Sequence, residues 1–215
     1  MAQLFPKWTI HLPTFVAGGG GLLSVLVVGG IWYYFSPKYT DVGYQPKQPV
    51  SYSHKLHAGD LGIDCRYCHS SIERSPKANI PSTATCMNCH KIILPESEKL
   101  LPVRESFATG RPIQWTKVHK LPDYVYFNHM AHLNAGVGCA SCHGNVAEME
   151  VVQQKQPLSM SWCLDCHRNP DNTLRPVNEI ANMKWSPPQN QAEFAARARK
   201  ERNINPPTDC SACHR

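Results

Sequence analysis

The 215 residues carry 22 Lys and Arg against 16 Asp and Glu, a formal net charge of +6, with only 18 % charged. That charge is too dilute for a disordered polyelectrolyte, and the chain lacks the dense basic runs of a nucleic-acid binder. The length allows one compact domain, or one modest domain with a membrane anchor. Long apolar side chains are sparse after residue 36, while Pro reaches 18 and Cys reaches 10. Aliphatic burial alone would struggle to offset the entropy of ordering such a chain, so something else must supply the core.

In chain order, residues 1–13 precede an uncharged run from Thr14 to Phe35, long enough to cross a hydrocarbon layer of ~30 Å as a helix. A cleaved signal peptide would have an apolar stretch of about 7–15 residues followed by a small-x-small site. This run is longer, and no such site follows it. Trp32, Tyr33 and Tyr34 close it as an interfacial aromatic belt, with Lys38 beyond. The run over 14–35 is therefore expected to be an uncleaved signal-anchor helix. Gly18 to Gly21, Gly29 and Gly30 weaken an isolated helix but suit one packed closely against another, which points to membrane partners. A merely tolerated glycine-rich anchor is the plainer alternative. Residues 36–50 read as a linker, and residues 51–215 as the main domain.

All ten cysteines of that domain fall in five copies of one pattern. These are Cys65-Arg-Tyr-Cys68-His69, Cys86-Met-Asn-Cys89-His90, Cys139-Ala-Ser-Cys142-His143, Cys163-Leu-Asp-Cys166-His167 and Cys210-Ser-Ala-Cys213-His214. CxxCH is the attachment signature of c-type haem. On a helical turn, i and i+3 share a face, so both sulfurs can form thioethers to one porphyrin, and the His at i+4 supplies the proximal iron ligand. Zinc ribbons and disulfide frameworks also use paired cysteines. Five CxxC units, however, cannot pair into four-cysteine zinc sites without a remainder, and neither alternative explains a His after every second Cys. The cofactor content expected is five covalently bound haem c.

Six histidines lie outside these motifs: His11, His54, His57, His119, His129 and His132. Four of them form two aromatic-x-His-x-x-His phrases, Tyr52-Ser-His54-Lys-Leu-His57 and Phe127-Asn-His129-Met-Ala-His132, each just before a CxxCH. At i and i+3 the imidazoles share a helix face and could serve two neighbouring haems. His119 is a further distal candidate. Two units, about 51–90 and 126–167, thus repeat the order HxxH–CxxCH–CxxCH, and a fifth site stands at the C-terminus. Between these landmarks, 96–109 and 191–203 are the best helix candidates, and Ser82 is a plausible N-cap for the turn carrying Cys86. The many prolines forbid long regular elements. The fold expected is mostly α with extensive irregular coil and one N-terminal transmembrane helix. With about 33 residues for each haem, porphyrin faces must form most of the buried apolar surface.

The phrases resemble those of the cytochrome c3/c7 class, which implies c3/c7-like haem packing in which the first His of HxxH binds the haem of the next CxxCH. Carried over, His54 completes the site of His69, and His129 that of His143. The partners of His57, His119 and His132 stay open on spacing. Nearly the whole chain also resembles the pentahaem subunit of bacterial alternative complex III. The resemblance is carried by Tyr52-Ser-His54-Lys-Leu-His57-Ala-Gly-Asp, Ile80-Pro-Ser-Thr-Ala-Thr-Cys86, Val118-His119-Lys-Leu-Pro-Asp-Tyr-Val-Tyr-Phe-Asn-His129, Pro157-Leu-Ser-Met160-Ser-Trp162-Cys163 and Pro206-Pro-Thr-Asp-Cys210.

That resemblance implies an electron-transfer subunit with no active site of its own, in a quinol:electron-acceptor oxidoreductase of the respiratory chain. It implies as partners an iron–sulfur subunit and polytopic quinol-oxidising membrane subunits. Beyond them stands a monohaem cytochrome c subunit, a soluble carrier or a terminal oxidase; no nucleic acid is involved. It also implies four bis-His haems and one His/Met haem. Met149, Met160 and Met183 are the candidates; Met149 is favoured because Met160 lies close to Cys163, and His119 is the histidine to surrender. Haem attachment takes place outside the bacterial inner membrane, so the expected placement is single-pass, with 1–13 cytoplasmic and the haem domain periplasmic. His11 then lies on the wrong side to ligate iron. A self-contained, membrane-anchored multihaem quinol dehydrogenase is the alternative. A pentahaem nitrite reductase is disfavoured because it uses a lysine-ligated open haem, whereas all five motifs here end in His.

Overall fold

The computed structural model describes residues 5–214; the first four residues of the predicted N-terminal stretch, and Arg215, lie outside the described residues. The chain contacts divide it into a unit ending at Asp41 and a second unit from Val42 onward.

In the first unit, a 3-10 turn over Lys7–His11 leads into an α-helix over Leu12–Tyr34. The helix starts two residues before the expected Thr14 because Pro13 sits in its first turn, where a missing N–H costs no intrahelical bond. It buries no residue, and together the two segments make one helix of 28 residues, long and apolar enough to cross a membrane. A helical turn over Pro37–Thr40 follows, and its Tyr39 ring packs against those of Tyr33 and Tyr34 at 5.6 and 4.7 Å.

The second unit is built of short helices joined by coil. The longest, Gln191–Glu201, has 11 residues. The described residues contain no strand, only isolated bridges between Val125 and His214 and between Val137 and Leu174. The helix expected over 96–109 begins as a 3-10 turn at Glu98–Leu100 and becomes α-helical over Leu101–Thr109. Pro102 explains the change, since an α-helix running through it would lose a backbone bond. The helix expected over 191–203 stops at Glu201, because Asn203 adopts a left-handed φ of 51°. Ser82 does stand at the N-cap of Thr83–His90, but its side chain makes no capping bond. Its carbonyl instead accepts the Thr85 N–H at 3.0 Å.

Apolar packing between side chains is thin. Val50, Met87 and Val103 form one buried cluster, with Cys86, Leu100, Ile113 and Trp115 against it. Elsewhere Leu133, Met149, Leu174, Ile180, Ala195 and Ala198 are buried, and of the described large side chains only Leu174 is fully enclosed. At roughly 1.5–3 kcal/mol for each large apolar side chain, this set falls far short of the ordering entropy of some 170 residues. A variant with all ten cysteines changed to Ala is therefore expected not to fold. Circular dichroism checks this: a native-like spectrum of that variant would contradict the account.

Candidate haem sites

Each CxxCH lies on a helical turn, in the segments Cys65–Cys68, Thr83–His90, Cys139–His143, Met160–Arg168 and Cys210–Cys213. Three of these turns begin at a side-chain cap. Asp64 accepts the Arg66 N–H at 2.8 Å, Ser159 that of Trp162 at 3.4 Å, and Asp209 that of Ala212 at 3.1 Å. The Arg66 side chain also donates to Asp64, which holds that carboxyl below its ordinary range. At the ends of the turns, backbone carbonyls fix the imidazoles. Nδ1 of His69 donates to Asn79 at 2.6 Å, that of His90 to Ile93 at 2.9 Å, and that of His167 to Pro207 at 2.6 Å. With Nδ1 protonated and tied down, Nε2 is the nitrogen left to bind a metal.

The two HxxH phrases build the same cap and the same ring packing twice. In the first, the Ser53 hydroxyl accepts the Leu56 N–H at 3.0 Å, and the Ser53 carbonyl accepts Nδ1 of His57 at 2.8 Å. In the second, the Asn128 side chain accepts the Ala131 N–H at 3.3 Å, and its carbonyl accepts Nδ1 of His132 at 2.8 Å. Tyr52 lies against His57 at 4.5 Å and meets His54 edge-on at 4.8 Å. Phe127 repeats this against His132 at 4.5 Å and His129 at 4.7 Å. The phrases differ in winding: Lys55–Asp60 is a π-helical turn, whereas His129–Ala135 is α-helical and closes on Gly136 at φ 92°. That φ suits glycine, and a Cβ there would also run into the Arg175 carbonyl. Reasoning from histidine spacing named the aromatic ring of each phrase without a role for it, and missed the capping residue altogether. The signal for both was the repeated aromatic–Ser/Asn pair directly before each HxxH.

The structure brings three distal candidates to face a proximal histidine. The His57 and His90 rings are 6.2 Å apart, His132 and His167 are 5.9 Å apart, and His129 and His143 are 6.4 Å apart and nearly parallel at 9°. Two imidazoles bound through Nε2 to opposite faces of one metal, with bonds of about 2 Å, have ring centres about 6 Å apart. The donor sets therefore fit an iron porphyrin between them. Burial pushes His54 down to about 4 and His143 down to about 3, and lowers His129, His132 and His119 from the ordinary histidine value. These rings are thus neutral, the ligating form. His54 has a buried Nδ1 with no hydrogen-bond partner, and His69 is the first charge neighbour that its titration feels. A cavity of about 400 Å³ opens beside Cys65, with Gly59, Gly62, Ile63 and Met183 on its wall.

His119 lies elsewhere: its ring is 4.3 Å from that of His143, too close for a porphyrin between them. Beside His214 stands the Tyr124 ring at 5.7 Å. Met149 is buried, Met183 borders the cavity, and Met160 is exposed at the start of its helix. His11 lies in the N-terminal unit. All ten cysteines are unpaired, and no three His, Cys, Asp or Glu among the described residues converge as a bare ion site.

Changing Asn128 to Ala removes the side-chain cap but keeps the carbonyl that holds His132. The expected loss is about 1 kcal/mol of stability, with unchanged haem content. Guanidinium unfolding of the holoprotein, alongside its mass, checks both parts.

Residues 125–215 match the family described as cytochrome c7 and related cytochrome c. The chain is also 32 % identical over 177 residues to the multihaem cytochrome c subunit of the menaquinone reductase of Nitratidesulfovibrio vulgaris (strain Hildenborough), covering 73 % of this chain and 82 % of that subunit. With its CxxCH turns and facing imidazoles in place, the chain belongs to the c7-related multihaem cytochromes c, electron-transfer proteins that carry covalent haem c.

Proposed function

We propose that this chain is the five-haem relay of a membrane quinone-linked oxidoreductase, of the alternative complex III kind. In this reading it exchanges single electrons between an iron–sulfur subunit and a periplasmic cytochrome, carrier or oxidase. The observation that carries the proposal is the set of imidazole pairs held about 6 Å apart at 57/90, 129/143 and 132/167. Bound haem supplies iron that cycles between ferric and ferrous states. The chain supplies axial nitrogens, burial and hydrogen bonds, which set the potentials. A pair of imidazoles holding each iron from both sides would leave no open position for small-molecule chemistry.

Four bis-His pairs follow in a regular order. The first His of each phrase, His54 or His129, serves the next CxxCH, and the second, His57 or His132, serves the one after. The fifth site, at His214, is then left for a methionine. Met160 suits it better than the spacing-favoured Met149. Met149 is buried, with its methyl beside Gly144, whereas Met160 is 66 % exposed on the helix that carries Cys163. Pro207 of the C-terminal segment accepts from His167 on that same helix at 2.6 Å, which brings the segment carrying His214 alongside it.

We read the attachment sites as connected in the order second, first, third, fourth, fifth. The Lys55–Asp60 turn, with His54 at its cap, ties the first to the second, and Asn88 donates to the Tyr67 hydroxyl between them at 3.0 Å. The loop 76–79 ties the first to the third, since Asn79 accepts from His69 and Pro76 accepts from His129 at 3.2 Å. His129 and His132 on one helix tie the third to the fourth. Such a line leaves the second and fifth sites as the ends where partners exchange electrons.

The apolar helix Lys7–Tyr34 supports a single-pass anchor in the bacterial inner membrane, with 1–13 cytoplasmic and the haem unit periplasmic. The related subunit works in a menaquinone reductase, which supports a quinone-linked complex here. Its name places the quinone as acceptor, whereas the alternative complex III reading places quinol as donor. A chain of one-electron centres serves either direction, and the partners' potentials decide.

Near-infrared magnetic circular dichroism of the oxidised protein is expected to count four bis-His centres and one His/Met centre. Changing Met160 to Ala should abolish the His/Met band, whereas changing Met149 to Ala should leave it. Five bis-His centres would overturn the methionine assignment. The isolated subunit should be reduced only slowly by added menaquinol, and rapid reduction would favour a self-contained quinol dehydrogenase.

A further inference from the structure

We infer that His119 is a positioning residue for the third haem site, accepting a hydrogen bond from the proximal His143, and that this bond tunes that site's reduction potential. The inference rests on reading Cys139-Ala-Ser-Cys142-His143 as a haem site. Nε2 of His119 lies 3.2 Å from Nδ1 of His143, and the two rings meet nearly at right angles, at 81°. The His129 ring is nearly parallel to that of His143, with centres 6.4 Å apart, about the separation of two imidazoles held by one iron. The iron needs the Nε2 lone pair of His143, so the ring proton resides on Nδ1. His119 must then accept through Nε2 and carry its own proton on Nδ1.

The arrangement differs from three other attachment sites. At His69, His90 and His167, the Nδ1 proton goes to a backbone carbonyl, of Asn79, Ile93 and Pro207 respectively. Imidazole nitrogen is a stronger base than an amide oxygen. It draws the Nδ1 proton further, makes His143 a more basic ligand, and so favours the ferric state of its iron. Both rings are part-buried, which weakens the competition from water for the bond. The histidine left over from pairing thus acts through another ligand.

The test uses the full holoprotein with His119→Phe and His119→Gln, followed by redox titration with EPR detection of the ferric signals. Phe removes the acceptor. Gln offers an amide oxygen, like the carbonyls at the other sites. Both variants should keep five haems by mass and stay wholly low-spin. One component should move to higher potential, further in the Phe variant than in the Gln variant, while four stay in place. If the Phe variant does not fold, the upward shift in the Gln variant carries the same test. A new high-spin ferric signal would make His119 an axial ligand and sink the proposal, as would potentials unchanged in either variant. Fewer than five haems in the unaltered protein would instead undo the five-haem reading on which it stands.

Discussion

Everything in the second unit depends on holding neutral imidazoles in fixed orientation with too little aliphatic core to do it. The chain solves this with the proton on Nδ1. His57, His69, His90, His129, His132 and His167 each face a backbone carbonyl through that nitrogen, at 2.6–3.2 Å. A carbonyl can only accept, so each bond fixes both the tautomer and the ring plane, and leaves Nε2 aimed outward. The irregular coil is what makes this possible, because carbonyls inside a long helix or sheet are already spent on their own ladder. Poverty in regular structure and wealth in oriented ligands are thus one property.

The duplicated phrase shows how economically the device is encoded. A single residue, Ser53 or Asn128, caps the following turn with its side chain and orients the second histidine with its carbonyl. The preceding aromatic ring packs on both histidines of its phrase at once. Short polar side chains suit this double task because they reach back to nearby backbone groups.

Much of the site could be read from the chain alone because CxxCH and HxxH are local patterns whose chemistry requires those residue types at those spacings. The attachment turns, the repeat and the N-terminal apolar helix belong to this class. Helix lengths were readable only approximately, since Pro102 splits one expected segment into a 3-10 and an α part and the left-handed Asn203 ends the other early. The place of His119 was not readable, because it is fixed by a contact 24 residues along the chain. The π-helical turn at Lys55–Asp60, where the second repeat has an α-helix, has no signature in residue type either. Long-range placement is decided by packing, and periodicity carries no record of it.

The loop 76–79 grips His69 from one end through Asn79 and His129 from the other through Pro76. These two rings come from different halves of an internal duplication. The loop therefore rivets the two repeated units together, and a lengthened loop would leave each unit with its own histidines yet let the two drift apart.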